Sequence, residues 1–160
     1  MNTNSRIFKF KNGNQLDYAL FEVDLNDIDS FRNDLGEKRK LGYSLVIINA
    51  DLMSSIMSNV LQSGGVIHEI KVSDPTVDEE LTEEIRMFVE GIRKNPSHYE
   101  MYLDEIRWLL NVDSIFIDEL NFTVKSEENK FISSKLFVNG ILSGEANDYI
   151  FNKFILSTLK

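Results

Sequence analysis

Residues 43–72, YSLVIINADLMSSIMSNVLQSGGVIHEIKV, decide how the fold is read. Tyr43 to Ile48 is a short, nearly continuous apolar run, which predicts a buried strand. From Asp51 to Gln62 the apolar residues Leu52, Ile56 and Val60 recur four apart. That spacing predicts a helix, and Gly64-Gly65 predicts its end. Val66, Ile67, Ile70 and Val72 then predict a second strand. A strand–helix–strand order predicts a right-handed parallel crossover, and therefore a βαβ unit in a mixed sheet.

Outward from that stretch, Arg6 to Lys11 alternates at period two. Asn12-Gly13-Asn14 is a turn signal, and Gln15 to Asp24 comes next as a second apolar segment, so the two predict an N-terminal hairpin. Asn26-Asp27 predicts the cap of a helix carrying Ile28, Phe31 and Leu35, with Gly42 as its stop. Two helices are predicted in the middle. The first has Asp74-Pro75 and the capping box Thr76-Val77-Asp78-Glu79 at its start, and a stripe of Leu81, Ile85, Phe88 and Ile92. The second comes after Asn95-Pro96, with Ser97-His98-Tyr99-Glu100 as its capping box and Tyr99, Tyr102, Leu103, Ile106, Leu109 and Leu110 on one face. The last third predicts strands over 114–125, 131–138 and 141–143, joined by Ser126-Glu127-Glu128-Asn129 and the hairpin turn Asn139-Gly140. A closing helix over 147–159 points Ile150, Phe151, Phe154, Ile155 and Leu159 inward. The resulting fold class is α+β, one domain over residues 1–160. It comprises a mixed sheet with an N-terminal hairpin and βαβ unit, two central helices, a C-terminal antiparallel meander and a closing helix.

Composition narrows the function. The 160 residues are 42% hydrophobic and 27% charged, the balance of a folded domain rather than a disordered chain. No apolar run approaches the ~18 residues of a membrane span, and the first residues carry no apolar core of a signal peptide. Zero Cys excludes thiol catalysis, disulfides and cysteine–zinc sites, and suits a reducing, cytoplasmic setting. The chain has 16 Ile, 15 Asn and 11 Lys but three Ala, a codon bias that predicts a low-GC bacterium, its phage or a mobile element.

The net charge of −9 argues against a direct nucleic-acid binder or an anionic-membrane binder. It is also localised. Residues 1–72 hold eight basic and nine acidic side chains, residues 73–120 hold four and thirteen, and residues 121–160 hold five and four. The excess lies on the two middle helices and the start of the next strand. Carboxylates in a helix first turn suit the macrodipole, but Glu79 with Glu83 and Glu80 with Glu84 are like-charge i, i+4 pairs, which repel. Two readings account for the cluster: a solvated helix face, or a surface complementary to a basic partner. Trp108, the single tryptophan, and Met101 point about 140–160° from the centre of their helix's apolar stripe at Ile106. They share that side with Asp104 and Glu105. Aromatic and thioether groups among carboxylates resemble an interface centre and its rim; a helix buried on both sides would instead put Trp108 in the core.

Catalytic patterns are sparse. His68 and His98 stand without an HxxxH or HExxH partner. Ser143-Gly144 lacks the GxSxG elbow, and Gly64-Gly65 is neither a P-loop nor GxGxxG. Asp113, Asp118 and Glu119 carry no calcium-loop spacing. Asp51 followed by Glu69-Ile70-Lys71 resembles the acid-plus-E-x-K set of the metal-dependent PD-(D/E)xK nucleases. That resemblance implies two carboxylates for Mg²⁺ and a lysine positioning water. Here a helix separates the acid from the triplet, where that fold has consecutive antiparallel strands.

The expectation is a non-enzymatic, cofactor-free module that binds and inhibits a protein partner with a basic, nucleic-acid-binding surface, in the manner of an anti-CRISPR, anti-restriction or toxin-immunity protein. Its partner-binding residues are Glu79, Glu80, Glu83, Glu84, Met101, Asp104, Glu105 and Trp108. The alternatives are a small Mg²⁺-dependent nuclease on Asp51, Glu69 and Lys71, and a structural or assembly subunit.

Overall fold

The computed structural model describes residues 2–72, 79–112 and 116–160. Strands β1 (Thr3–Asn12) and β2 (Gln15–Val23) form the expected hairpin. Helix α1 (Ile28–Lys40) starts where Asp27 accepts the Ser30 amide at 3.1 Å. A two-residue β3 (Ser44–Leu45) leads into α2 (Ala50–Gln62), which Asn49 caps by accepting the Leu52 amide at 2.9 Å. β4 (Val66–Val72) is next in the chain. Then come α3 (Glu79–Lys94), a tight turn over Pro96–His98, and α4 (Tyr99–Val112). β5 (Ile117–Lys125), β6 (Phe131–Phe137) and β7 (Ile141–Gly144) make the meander. Helix α5 spans 147–159, with a wide turn over Phe151–Ile155 in its middle.

The class is α+β. The sheet runs β2-β1-β7-β6-β5-β4, with β3 beside β1. Among the described residues every pairing is antiparallel. The parallel crossover predicted from residues 43–72 is therefore not formed. β3 pairs with β1 at Phe8 and Lys9, just past the stretch of β1 that β7 occupies, whereas β4 is the far strand of the sheet. Helix α2 carries the chain from one region of the sheet to the other. Counting directions across the antiparallel sheet makes β3 and β4 run oppositely. The apolar run resembles a whole strand because Val46 and Ile48 are buried. They reach the core from a loop held by the Ile48 amide donating to the Val138 carbonyl at 2.8 Å, and Ile47 faces outward. Gly140 lets that loop pass: a Cβ there would lie 2.9 Å from the Val46 carbonyl.

One face of the sheet buries the core. Ile7, Ile67, Ile70, Leu120, Phe122, Val124, Leu136 and Leu142 meet Met53, Ile56, Met57 and Val60 of α2 and Ile150, Phe151, Phe154 and Ile155 of α5. Helix α3 packs on β4, and α4 on α2 and α3. The buried stripe of α3 is Ile85, Val89 and Ile92, with Leu81 and Phe88 half-buried, so Val89 rotates the predicted stripe. In α4 the buried residues are Leu103, Ile106 and Leu110. The expected capping box at Ser97 is replaced by the Pro96–His98 turn, whose preceding residue Asn95 makes no side-chain cap. Residues 76–78 of the other box lie outside the described residues, and its Glu79 is the first residue of α3.

The second face of the sheet differs from end to end. At the hairpin end, Phe8, Phe21 and Tyr43 meet edge to face and Phe10 lies tilted against Tyr43, with ring centres 5.2–6.4 Å apart. Lys38 of α1 lies over Phe21 at 4.5 Å. Arg6 is buried beneath Phe31, 5.7 Å from its ring, and donates to the Asn139 carbonyl at 3.2 Å. Burial, then the nearby Arg39 charge, lowers its pKa. Helix α1 buries no residue fully, and Ile28, one of the apolar residues that signal the helix, is exposed. At the other end the second face is polar.

Candidate functional site

Antiparallel packing of α3 on α4 brings the predicted site residues to one hairpin. Phe88 and Tyr102 meet with ring centres 6.3 Å apart. Gly91 lies so close to Tyr102 that a Cβ would be 2.6 Å from its ring. At about 100° per residue, Glu80, Glu84, Met87 and Gly91 fall within about 60° on the α4 side of α3. Met101, Glu105, Trp108 and Val112 span about 60° on the facing flank of α4, and Asp104 lies about 40° further round. All of these except Gly91 are exposed. Trp108 is 62% exposed, Met87 62%, Met101 58% and Val112 59%, which answers the core-or-surface question for Trp108 in favour of the surface. Hence the face comprises a few large apolar groups, with Glu80, Glu84, Glu105 and Asp104 around them. Asp104 is engaged by Arg107 at 3.3 Å.

The four-glutamate cluster is divided. Glu79 and Glu83 turn to the other flank of α3, where Glu83 pairs with Arg86 at 2.6 Å. That hydrogen bond and the Glu83 charge raise the pKa of Arg86. The predicted Glu79–Glu83 repulsion is thus relieved by a guanidinium one turn on. Met87 and Val112 belong to the face, and sequence reasoning misses both. At about 100° per residue Met87 lies about 160° from Ile85 and Val112 about 120° from Ile106, so the helical rotation that exposes Trp108 exposes both of them as well.

The nuclease residues are not assembled. Asp51 is exposed in the first turn of α2, which stands on the core face of the sheet. Glu69 lies on the second face, 3.4 Å from the Asn121 amide that donates to it. Lys71 is committed to Glu119 at 3.1 Å, and Lys135 reaches the same carboxylate at 3.5 Å. Among the described residues no group of three His, Asp or Glu side chains is placed to hold a metal ion. Asp113 lies outside the described residues. No helix among the described residues is long and apolar enough to cross a membrane.

His68, an isolated strand residue in sequence, joins a hydrogen-bonded chain on the second face: its Nε2 meets Thr123 Oγ1 at 2.7 Å, which meets Ser133 Oγ at 2.8 Å. The chain spans three strands, and register alone brings it together. Comparison of the chain with protein-family models, curated protein sequences and solved structures finds no match.

Proposed function

We propose that the protein is a binding module that docks a basic protein partner through the outer face of the α3–α4 hairpin, and that it acts as an inhibitor of that partner. The observation that carries the reading is Trp108: the chain's single tryptophan stands 62% exposed between Met101 and Val112, among carboxylates. Large apolar groups gathered at the surface of a chain with a filled core mark an interaction site, and Trp is the side chain most often found at the energetic centre of an interface. The surrounding Glu80, Glu84, Glu105 and Asp104 favour a cationic surface, steer encounter and make association salt-dependent. A nucleic-acid-binding groove is a protein surface with that charge, which is why an inhibitor of such a protein is the preferred partner relation.

The test is affinity capture from cells of the source at low and high salt, with the wild type, Trp108→Ala and Glu84→Lys. Docking through this face predicts a protein retained by the wild type at low salt and lost with either variant. Glu84→Lys should act mainly by slowing association and flattening the salt dependence. Equal capture by all three proteins would place the function elsewhere on the molecule.

A further inference from the structure

Between the polar half of the second sheet face and the inner flank of α3 lies a cleft of about 660 Å³. We infer that this cleft is a binding site for a small phosphorylated, hydroxyl-bearing molecule of the sugar-phosphate or nucleotide class, independent of the docking face. Its volume is in the range of small-ligand sites, about 300–1,000 Å³. Its floor is one cross-strand row, Glu69–Asn121–Lys135–Ser143, set by the registers of β4, β5, β6 and β7. His68 and Ser133 adjoin that row through the imidazole–hydroxyl chain. Its wall is the α3 flank bearing Thr82, Arg86, Glu90 and Arg93, successive turns of one side of the helix, with the edges of Ile85 and Val89 at the base as an apolar surface for the body of a ligand.

The chemistry of the lining selects the ligand. Arg93 is exposed and has no ion pair or hydrogen bond among the described residues, unlike Arg86, which holds Glu83, and Lys135, which holds Glu119. An unpaired guanidinium over a polar floor is suited to bidentate capture of a phosphate. Glu69 and Glu90 oppose a purely anionic ligand and instead accept hydrogen bonds from hydroxyl groups. Hydroxyls of Thr82, Ser133 and Ser143 serve as either donor or acceptor. The combination therefore fits one anionic group attached to a hydroxylated body. The net charge of −9 weakens attraction at long range, but beyond about 8 Å at physiological salt that field is screened, and the cleft's own groups decide.

Titration calorimetry with ribose 5-phosphate, glucose 6-phosphate and adenosine monophosphate tests the site, with free ribose as the control. The expected result is saturable 1:1 binding of at least one phosphorylated probe. Arg93→Ala should weaken it at least tenfold, Ser133→Ala by less, and free ribose should bind at least tenfold more weakly. Trp108→Ala should leave it unchanged, which separates this site from the docking face. Lys9→Ala, a surface cation away from the cleft, should also leave it unchanged. Absence of saturable binding by all three phosphorylated probes would overturn the inference. So would equal affinity in Arg93→Ala, or an equal loss in Lys9→Ala.

Discussion

The two flanks of α3 carry different chemistries on one 16-residue helix, one acidic and apolar, the other mixing Glu79, Glu83 and Glu90 with Arg86 and Arg93. Toward α4 it presents Glu80, Glu84 and Met87, beside the exposed Trp108. Toward the sheet it presents Thr82, Arg86, Glu90 and Arg93, over a hydroxyl-lined floor. The buried stripe Ile85–Val89–Ile92 separates them. The charge of a segment is therefore not the charge of a surface. Residues 73–120 hold four basic side chains, and two of them, Arg86 and Arg93, line the cleft rather than dilute the acidic face. Helix rotation does the sorting, so both surfaces depend on the same stripe being seated.

The largest expected effect breaks both surfaces at once. Ile92→Ala removes a side chain that is 2% exposed beneath both flanks. Truncation of a buried Ile costs about 2–5 kcal/mol, and urea denaturation should show a loss in that range. A loss below about 1 kcal/mol would mean that α3 is not anchored by this stripe.

A smaller effect should separate the surfaces. Gly91→Ala places a methyl group against the Tyr102 ring, and the helices must part or the ring must move, at about 1–3 kcal/mol for overpacking. Because Gly91 faces α4, the seam between the helices should be disturbed and the cleft spared. Adding Tyr102→Ala to Gly91→Ala makes room for the methyl group. In a double-mutant cycle, the penalty of Gly91→Ala should then largely vanish. Additive penalties would show that the close approach is not what requires glycine.

The exposed face of the α3–α4 hairpin is legible in the sequence, and the cleft is not. Helical period places Trp108 and Met101 opposite Ile106, since all three lie within one element. The α+β class, both hairpins and most helix bounds come from local signals such as Asp27, Asn49 and Asn139-Gly140. The parallel crossover fails because period identifies a strand and not its neighbour: residues 43–48 pair with β1 over just Ser44 and Leu45. The cleft is hidden for the same reason. His68, Thr123 and Ser133 are adjacent only after register is set, and a register shift between Ile67 and Glu69 helps aim His68. The division of Glu79 and Glu83 from Glu80 and Glu84 needs only helix rotation, once Val89 is counted in the stripe.

Trp108→Ala should cost little stability, within about 0.5 kcal/mol as for other surface changes, while abolishing partner capture. Its fluorescence should be red-shifted and quenched readily by acrylamide. A blue-shifted, protected emission in the protein alone would mean that a second copy already covers the face, and the comparison of the two flanks would then apply to a dimer.

The smallest effect concerns why Arg93, and not Lys135, should dominate anion capture. At the edge of the cleft floor, Glu119 is buried and accepts from both Lys71 and Lys135. The hydrogen bond to Glu119, then its charge and that of Glu69, raises the pKa of Lys71 above its ordinary 10.5. A raised lysine pKa means that the folded state holds the proton more tightly than the unfolded chain does. Its contribution to stability is fully present below 10.5 and is lost as pH rises through the higher folded value. The stability difference between wild type and Lys71→Met should therefore be constant from neutral pH up to 10.5 and shrink above it. A difference that is the same on both sides would assign the role of Lys71 to its aliphatic stem. In that case Glu119 would rest on Lys135 alone, leaving Lys135 still less free to meet a phosphate and Arg93 still more dominant in the cleft.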